Sequence, residues 1–293
     1  MSNILDNFNK QKDFLICIDS DGCAIDTMDI KHIKCFGPCM VTEWNLEEWK
    51  EPILERWNEV NLYTLTRGIN RFKGLAVALI EINEKYITIE GLDEFVRWTE
   101  ETKELSNESL EVEIEKTNNI CLKKALEWSK SVNKSIDLLS DDEKCPFEGV
   151  KEAIILAKKV ADIAIVSSAN EKAVLDEWNK HGLLENVDIV LTQNIGSKSY
   201  CINKLIAKGY SRNNVLMVGD ALGDLKAAEE NEALYYPIMV RKEKESWIRF
   251  SKEALERFTS NSYYGEYQEK VIAEFKENLS KYSYLTRRWS KYE

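Results

Sequence analysis

Short runs of apolar, largely β-branched residues alternate with amphipathic helical segments in two parts of this 293-residue chain, about 14–26 and about 145–240. Strands that are apolar along their whole length are typical of a parallel sheet covered by helices on both faces. The alternation therefore predicts an α/β fold with three layers, α/β/α. The predicted strands are FLICI (14–18), DIAIV (162–166), VDIVL (187–191), NVLMV (214–218) and ALYYP (233–237), and the predicted helices cover 149–160, 170–181, 199–208 and 222–230.

The rest of the chain has a different pattern, in which apolar residues recur at helical spacing. One short strand is expected in this part, at KYITI (85–89). The tail is rich in aromatic residues and also helical, and we expect it to pack on the core or on a second subunit of a homodimer. The predicted parts are a Rossmann-like α/β core at 1–28 and 144–240, a mostly helical inserted domain at 29–143, and a helical C-terminal extension at 241–293.

Composition disfavours several classes of protein. The net charge of −11 argues against a general nucleic-acid binder, which needs an excess of Lys and Arg. No run approaches the roughly twenty apolar residues that a membrane span requires, and the first residues lack the apolar centre of a signal peptide. We therefore expect a cytoplasmic protein that binds neither nucleic acid nor membranes.

The cysteines indicate a reducing compartment. There are seven, an odd number, and they include no C-x-x-C pair. His32, Cys35 and Cys39 lie close enough in sequence to offer three ligands to zinc. Because a closed structural zinc site uses four ligands, ordinary thiols are the preferred interpretation of this cluster.

Polar side chains follow four of the predicted strands at the point where each strand ends. Parallel strands joined by crossovers end along one edge of the sheet, where open α/β sheets bind their ligands. We therefore expect these side chains to meet. They are Asp19 and Asp21 after the first strand, Ser167 after the second, Lys198 in the loop after the third, and Asp220 and Asp224 after the fourth.

Paired carboxylates at a strand end repel each other, so a cation is expected between them. Asp19, Asp220 and Asp224 supply the hard oxygen ligands that Mg²⁺ prefers. Asp21 is a further candidate ligand through its main-chain carbonyl, because Gly22 allows the chain to turn tightly there. The sequence therefore predicts a magnesium site, with Asp224 as either a direct ligand or an orienting residue.

Two other side chains suit a phosphate group. Lys198 supplies a compact positive charge, and Ser167 supplies a hydroxyl donor at the start of a helix. Lys204 is the less favoured lysine because it lies within the helical pattern. Ser168 and Glu171 match a capping box, which indicates a structural role for Ser168.

The helical insertion contains one cluster of cations, in TRGINRFKG (66–74). Arg67 and Arg71 share a face if this segment is helical. We predict that they contact an anionic substrate, with a solvated helix surface as the alternative.

The order D-x-D-G, strand-end Ser, Lys and G-D-x-x-x-D resembles that of the haloacid dehalogenase superfamily of phosphohydrolases. The resemblance covers about 14–28 and 145–240 and includes CPFEGVKEAI (145–154) as the lead-in to the second motif. It implies that the long helical stretch after the first motif is a cap domain. Cys23 stands where threonine is commonest in the family.

The resemblance implies a Mg²⁺-dependent hydrolase of a small phosphorylated metabolite. Asp19 would attack phosphorus to form an aspartyl-phosphate, and Asp21 would act as general acid and base. Mg²⁺ and Lys198 would neutralise the charge of the transferred group. Asp21 argues against dehalogenation, because dehalogenase members of the family lack this residue. A phosphomutase, a phosphoacceptor signalling module and a binding protein without activity are the alternatives.

Overall fold

Five strands form a parallel sheet in the computed structural model, which describes residues 4–280. They are β1 Phe14–Ile18, β2 Ala161–Val166, β3 Ile189–Leu191, β4 Val215–Gly219 and β5 Leu234–Pro237. The strand order is β3-β2-β1-β4-β5, with Ile16 of β1 opposite Ile163 of β2 and Leu216 of β4. The predicted α/β fold with a parallel sheet is therefore confirmed.

Both faces of the sheet are covered. Side chains of successive strand residues point to opposite faces, and Leu15, Ile16, Cys17 and Ile18 are all fully buried. This burial explains why β1 is apolar at every position rather than at alternate ones.

The sheet belongs to one of two units of the chain, which we call the sheet unit and which comprises residues 4–28 and 141–280 of the described range. Its longer helices lie close to the segments predicted from the sequence. All the helices of this unit are Ile4–Asn7, Val150–Lys158, Glu171–Lys180, Lys198–Ile206, Leu222–Glu230, Glu243–Arg249, Leu255–Thr259 and Glu266–Ser280 within the described range, with a π-helical turn at Phe250–Ala254 and 3₁₀ turns at Asp141–Glu143, Leu184–Asn186 and Arg212–Asn214.

The C-terminal helices pack on the sheet. Trp247, Phe250, Phe258 and Val271 are buried in the same apolar cluster as the strand residues. The extension predicted at 241–293 is thus part of the sheet unit as far as residue 280; residues 281–293, like residues 1–3 of the predicted core, lie outside the described range.

The second unit, Asp29–Ser140, lies wholly within the described range and contains helices but no strand. We call it the helical unit. Trp57, Phe72, Phe95 and Trp128 lie at the centre of its core. Its helices are Met28–Lys31 (which begins in the sheet unit), Gly37–Trp44, Lys50–Asn58, Arg71–Lys85, Leu92–Glu101, Asn107–Thr117 and Ile120–Asp137, with π-helical turns at His32–Phe36 and Glu59–Tyr63 and a 3₁₀ turn at Glu47–Trp49.

The short strand expected at KYITI (85–89) is wrong. The helix continues through Lys85, and the chain then turns, with the amides of Tyr86 and Ile87 donating to Ile82 O. The amide of Ile89 donates to the side chain of Asn83 at 2.7 Å. Ile87 and Ile89 pack on the core of the helical unit without a neighbouring strand, whereas Thr88 is exposed.

Between residues 4 and 280, no helix has both the length and the apolar character needed to cross a bilayer.

Candidate active site

The strand order places two of the predicted acidic segments side by side. The connection from β1 leads to β2 on one side, whereas β4 lies on the other side of β1. Such a switch point opens a crevice at the carboxyl ends of the strands. Asp19 follows β1 and Asp220 follows β4, and the amide of Asp19 donates to Val218 O at 3.0 Å.

Three of the predicted carboxylates meet in this crevice. One oxygen each from Asp19, Asp220 and Asp224 lies within 4.8 Å of the others, and all three residues are buried. The close approach depends on Gly219, because a Cβ at this position would lie 2.4 Å from the side chain of Asp224. Any side chain at position 219 would therefore displace Asp224 from the group.

Lys198 joins the carboxylates. Its Nζ lies 2.9 Å from Oδ2 of Asp19 and 2.5 Å from Oδ1 of Asp224. Oδ2 of Asp224 accepts a hydrogen bond from the amide of Ala221 at 3.1 Å, so Asp224 orients both the lysine and its own loop. Lys204 instead lies over the ring of Tyr200, 5.2 Å from its centroid, in agreement with the preference for Lys198.

The electrostatics of this group favour a divalent cation. Burial raises the pKa of Asp19 to about 8; the charge of Lys198 opposes this shift, and the charges of Asp224 and Asp220 add to it. When the three carboxylates are ionised and Lys198 is protonated, the group carries two excess negative charges. Its donors are carboxylate oxygens, the ligands that Mg²⁺ takes in proteins, so the residues fit the predicted metal.

Asp21 lies outside this group of carboxylates. It is partly buried, and its Oδ1 accepts a hydrogen bond from the hydroxyl of Thr27 at 2.8 Å. The intervening chain turns back sharply: Gly22 has a φ of 77°, and its amide donates to Ile25 O at 2.8 Å. Sequence reasoning missed Thr27, because only this turn brings its hydroxyl back to Asp21. The metal contact predicted for Asp21 stays a prediction.

Ser167 is buried at the end of β2, the strand beside β1. Its Oγ accepts a hydrogen bond from the amide of Ala169 at 3.1 Å, which leaves the hydroxyl proton available to a ligand. The capping box predicted for Ser168 is wrong. Asn170 caps the helix instead, accepting from the amides of Lys172 and Ala173, because the helix begins only at Glu171.

The two predicted substrate arginines lie in the helical unit in different environments. Arg67 precedes the helix that begins at Arg71, so the two do not share a helical face. The guanidinium of Arg67 is buried, donates to Leu62 O at 2.7 Å and lies 3.8 Å from Asp29. Arg71 donates to neutral side chains, as described below. Substrate contact by either residue stays a prediction.

The other candidate metal cluster does not form. Within residues 4–280, His32, Cys35 and Cys39 are not among the groups of three ligand atoms that lie within 4.8 Å of one another. Nδ1 of His32 accepts a hydrogen bond from Nε1 of Trp57 at 3.2 Å. This nitrogen is therefore occupied in the packing of the helical unit.

A further residue, Tyr235 of β5, supports the acidic loop that holds Asp220 and was missed by sequence reasoning. Its buried hydroxyl donates to Gly219 O at 2.9 Å and lies 3.5 Å from Ala221 O, the carbonyls on either side of Asp220. The backbone of Tyr235 is in turn held by the C-terminal segment, through Gln268 at 3.0 Å and Tyr263 at 2.7 Å. The sequence indicates only an apolar strand at this position. The pattern of apolar residues in a strand does not predict which group a tyrosine hydroxyl will hydrogen-bond.

Tyr235→Phe should weaken Mg²⁺ binding by about fivefold, the worth of one neutral hydrogen bond. Tyr236→Phe is a matched control, since its equally buried hydroxyl donates to Ser246 O at 2.7 Å, away from the acidic loop. Both variants should lose similar thermal stability, and only the first should lose Mg²⁺ affinity in calorimetric titration. Equal affinities for the two variants would contradict the supporting role of Tyr235.

Comparison with known proteins places the chain in a family. Residues 78–234, more than half of the chain, match the family model described as haloacid dehalogenase-like hydrolase. No curated protein matches the sequence. The matched residues include Ser167, Lys198, Asp220 and Asp224, whereas the segment that holds Asp19 lies before them.

Several solved structures share the fold. A haloacid dehalogenase-like family hydrolase from Streptococcus pneumoniae aligns over 82% of this chain and 91% of its own, with a TM-score of 0.51 and 11% identity. A candidate phosphoglycolate phosphatase from Lactobacillus delbrueckii subsp. bulgaricus covers 86% and 99%, with a TM-score of 0.51 and 13% identity. A haloacid dehalogenase-like hydrolase from Xanthomonas campestris covers 87% and 97%, with a TM-score of 0.50 and 10% identity.

The family model covers the loops after β2, β3 and β4 that carry the polar site residues. The prediction made from the four strand-end motifs is thereby confirmed at the level of family and enzyme class. The chain belongs to the haloacid dehalogenase-like hydrolase family.

Proposed function

We propose that this enzyme is a Mg²⁺-dependent phosphohydrolase that releases phosphate from a small phosphorylated metabolite through an aspartyl-phosphate. One observation carries the proposal: the buried carboxylates of Asp19, Asp220 and Asp224 lie together at the switch point of the sheet, and the ammonium group of Lys198 contacts two of them, Asp19 and Asp224. Membership of a hydrolase family supports the reaction class.

Asp19 is the proposed nucleophile. One of its oxygens forms a bond to phosphorus while the bond from phosphorus to the ester oxygen breaks, and the phosphate group stays on the carboxylate. Lys198, 2.9 Å from Oδ2 of Asp19, holds the carboxylate in place and offsets negative charge as the phosphoryl group approaches. The hydroxyl of Ser167 is the proposed donor to a phosphate oxygen.

Asp21 is the proposed general acid and base. In the first step it gives a proton to the leaving oxygen; in the second it takes a proton from the water that attacks phosphorus and releases Asp19. It lies outside the group of three carboxylates, and Thr27 orients it through the 2.8 Å hydrogen bond. The two steps together consume one water and regenerate the carboxylate of Asp19 and the protonated form of Asp21.

Asp19, Asp220 and Asp224 are the residues that would hold Mg²⁺. When bound, the cation would supply the charge neutralisation on which phosphoryl transfer mainly depends.

Phosphate release should be measured over a panel of phosphorylated metabolites, with Mg²⁺ and with EDTA. We expect turnover with Mg²⁺ alone. Without substrate, Mg²⁺ at a hundred times its Kd should stabilise the fold by about 2.7 kcal/mol, seen as a rise in Tm. Asp13→Asn is a suitable control, because Asp13 is exposed and pairs with Lys10; it should leave both responses unchanged.

Equal turnover in EDTA would contradict the role of the metal. Accumulation of a long-lived phosphoprotein without release of phosphate would favour a phosphoacceptor signalling module over a hydrolase.

A further inference from the structure

One arginine of the helical unit differs from the other shielded arginines in its partners. Burying a charge is costly unless the charge is paired. Three other arginines with little exposure, Arg56, Arg67 and Arg249, each pair with a carboxylate. Arg71 is partly buried and forms no ion pair with any Asp or Glu among residues 4–280. The paired arginines are Arg56 with Glu81, Arg67 with Asp29 and Arg249 with Glu274, at N···O distances of 2.9, 3.8 and 2.6 Å.

The partners of Arg71 are neutral. Its Nη1 donates to Oγ of Ser129 at 3.2 Å and to Oδ1 of Asn133 at 2.7 Å. Ser129 can accept because its own proton goes to Oδ1 of Asn107, at 2.8 Å. The guanidinium lies over the ring of Phe36, 5.1 Å from its centroid. These contacts hold the group in one orientation without neutralising its charge.

Three of the five N–H donors of Arg71 are left over. The two described hydrogen bonds both start from Nη1, so the donors on Nε and Nη2 have no acceptor among residues 4–280. The edge formed by Nε and Nη2 is the side of a guanidinium that binds a carboxylate or phosphate through two parallel hydrogen bonds.

The surroundings of Arg71 also favour an anion. Arg71 is the first residue of the fifteen-residue helix Arg71–Lys85, so the positive end of the helix dipole adds to its charge. Burial lowers the pKa of Arg71 to about 10, which still leaves it charged at neutral pH. A cation that is partly desolvated and has no paired negative charge is stabilised when an anion binds to it.

We propose that Arg71, held by Ser129 and Asn133 and packed on Phe36, is a binding site on the helical unit for the carboxylate or phosphate group of a small molecule. The proposal goes beyond phosphate hydrolysis at the sheet, and its test needs no enzymatic turnover.

The test is titration of the full chain while the Nε–H resonances of its arginines are followed by NMR. Malonate and inorganic phosphate are added separately, with chloride at equal ionic strength as the reference. The Arg71 resonance is identified by its absence in Arg71→Gln. We expect it to shift in a saturable manner with at least one probe and not with chloride; the responding probe identifies the group as carboxylate or phosphate.

Variants make the result specific to this site. Asn133→Ala keeps the charge but removes the 2.7 Å contact, and it should weaken binding several-fold. Arg97→Gln is the control, because Arg97 is exposed and paired with Glu94; it should leave the affinity unchanged. An Arg71 resonance that ignores both probes, or follows ionic strength alone, would overturn the proposal. So would an unaltered affinity in Asn133→Ala.

Discussion

Asp19→Asn should abolish phosphate release, with kcat lower by about 10⁴-fold or more. The amide of asparagine is too weak a nucleophile to attack phosphorus, so the covalent route is closed. Its carbonyl oxygen can still accept the hydrogen bond from Lys198, now 2.9 Å from Oδ2 of Asp19, and the shape of the site is kept. The loss of activity is therefore expected in a folded protein.

A second measurement separates this result from unfolding. The substitution removes a buried carboxylate whose ionisation burial disfavours, so the Tm of the metal-free protein should stay equal or rise, while the added stability from Mg²⁺ should shrink. Asp13→Asn, at the amino end of β1, tests for a general effect of losing an aspartate and should behave as wild type. An Asp19→Asn variant that still turned over at more than a few per cent of wild type would refute the nucleophilic role.

Asp21→Asn is expected to lower kcat by about 10²- to 10⁴-fold, the usual worth of a general acid–base group. The affinity for Mg²⁺ should be nearly unchanged, because the carboxylate of Asp21 is not part of the buried group of three. Calorimetric titration with Mg²⁺ and steady-state kinetics on the same preparation would show the two effects separately.

The leaving group distinguishes the two tasks of Asp21. With p-nitrophenyl phosphate, departure of the leaving group needs no proton, so the phosphorylated enzyme should form readily and then hydrolyse slowly without its base. We expect a burst of one p-nitrophenolate per enzyme, followed by slow turnover. Steady turnover at the wild-type rate, or slow turnover without a burst, would contradict the assignment. Asp26→Asn, an exposed neighbour, is the control.

Local patterns in the sequence were enough to predict the strands and the site loops. The strand FLICI has the predicted bounds in the structure, because five consecutive apolar residues, four of them fully buried, leave little choice of conformation or of ends. Lys198 could be preferred to Lys204 because Lys204 lies within the helical pattern. These predictions depend on residues within a few positions of one another.

Contacts between distant residues could not be predicted in the same way. The hydrogen bond from Thr27 to Asp21 depends on a turn, and that from Tyr235 to Gly219 O depends on the neighbouring positions of β4 and β5. The choice of Asn170 over Ser168 as helix cap depends on where the backbone becomes helical, by a margin of two residues. The helix propensities of single residues are too weak to decide at which residue a helix begins.

The sequence by itself determined that this chain forms a parallel α/β sheet and that acidic, hydroxyl and ammonium groups follow its strands. Burial on both faces of the sheet requires a continuous run of apolar residues, and the polar residues that follow each run can be identified directly. Only the tertiary structure decided which of these groups meet. The strand order sets Asp19 beside Asp220, and the close approach at Gly219 admits Asp224 and, with it, Lys198. Strand order arises from the packing of whole elements, to which all five strands contribute together.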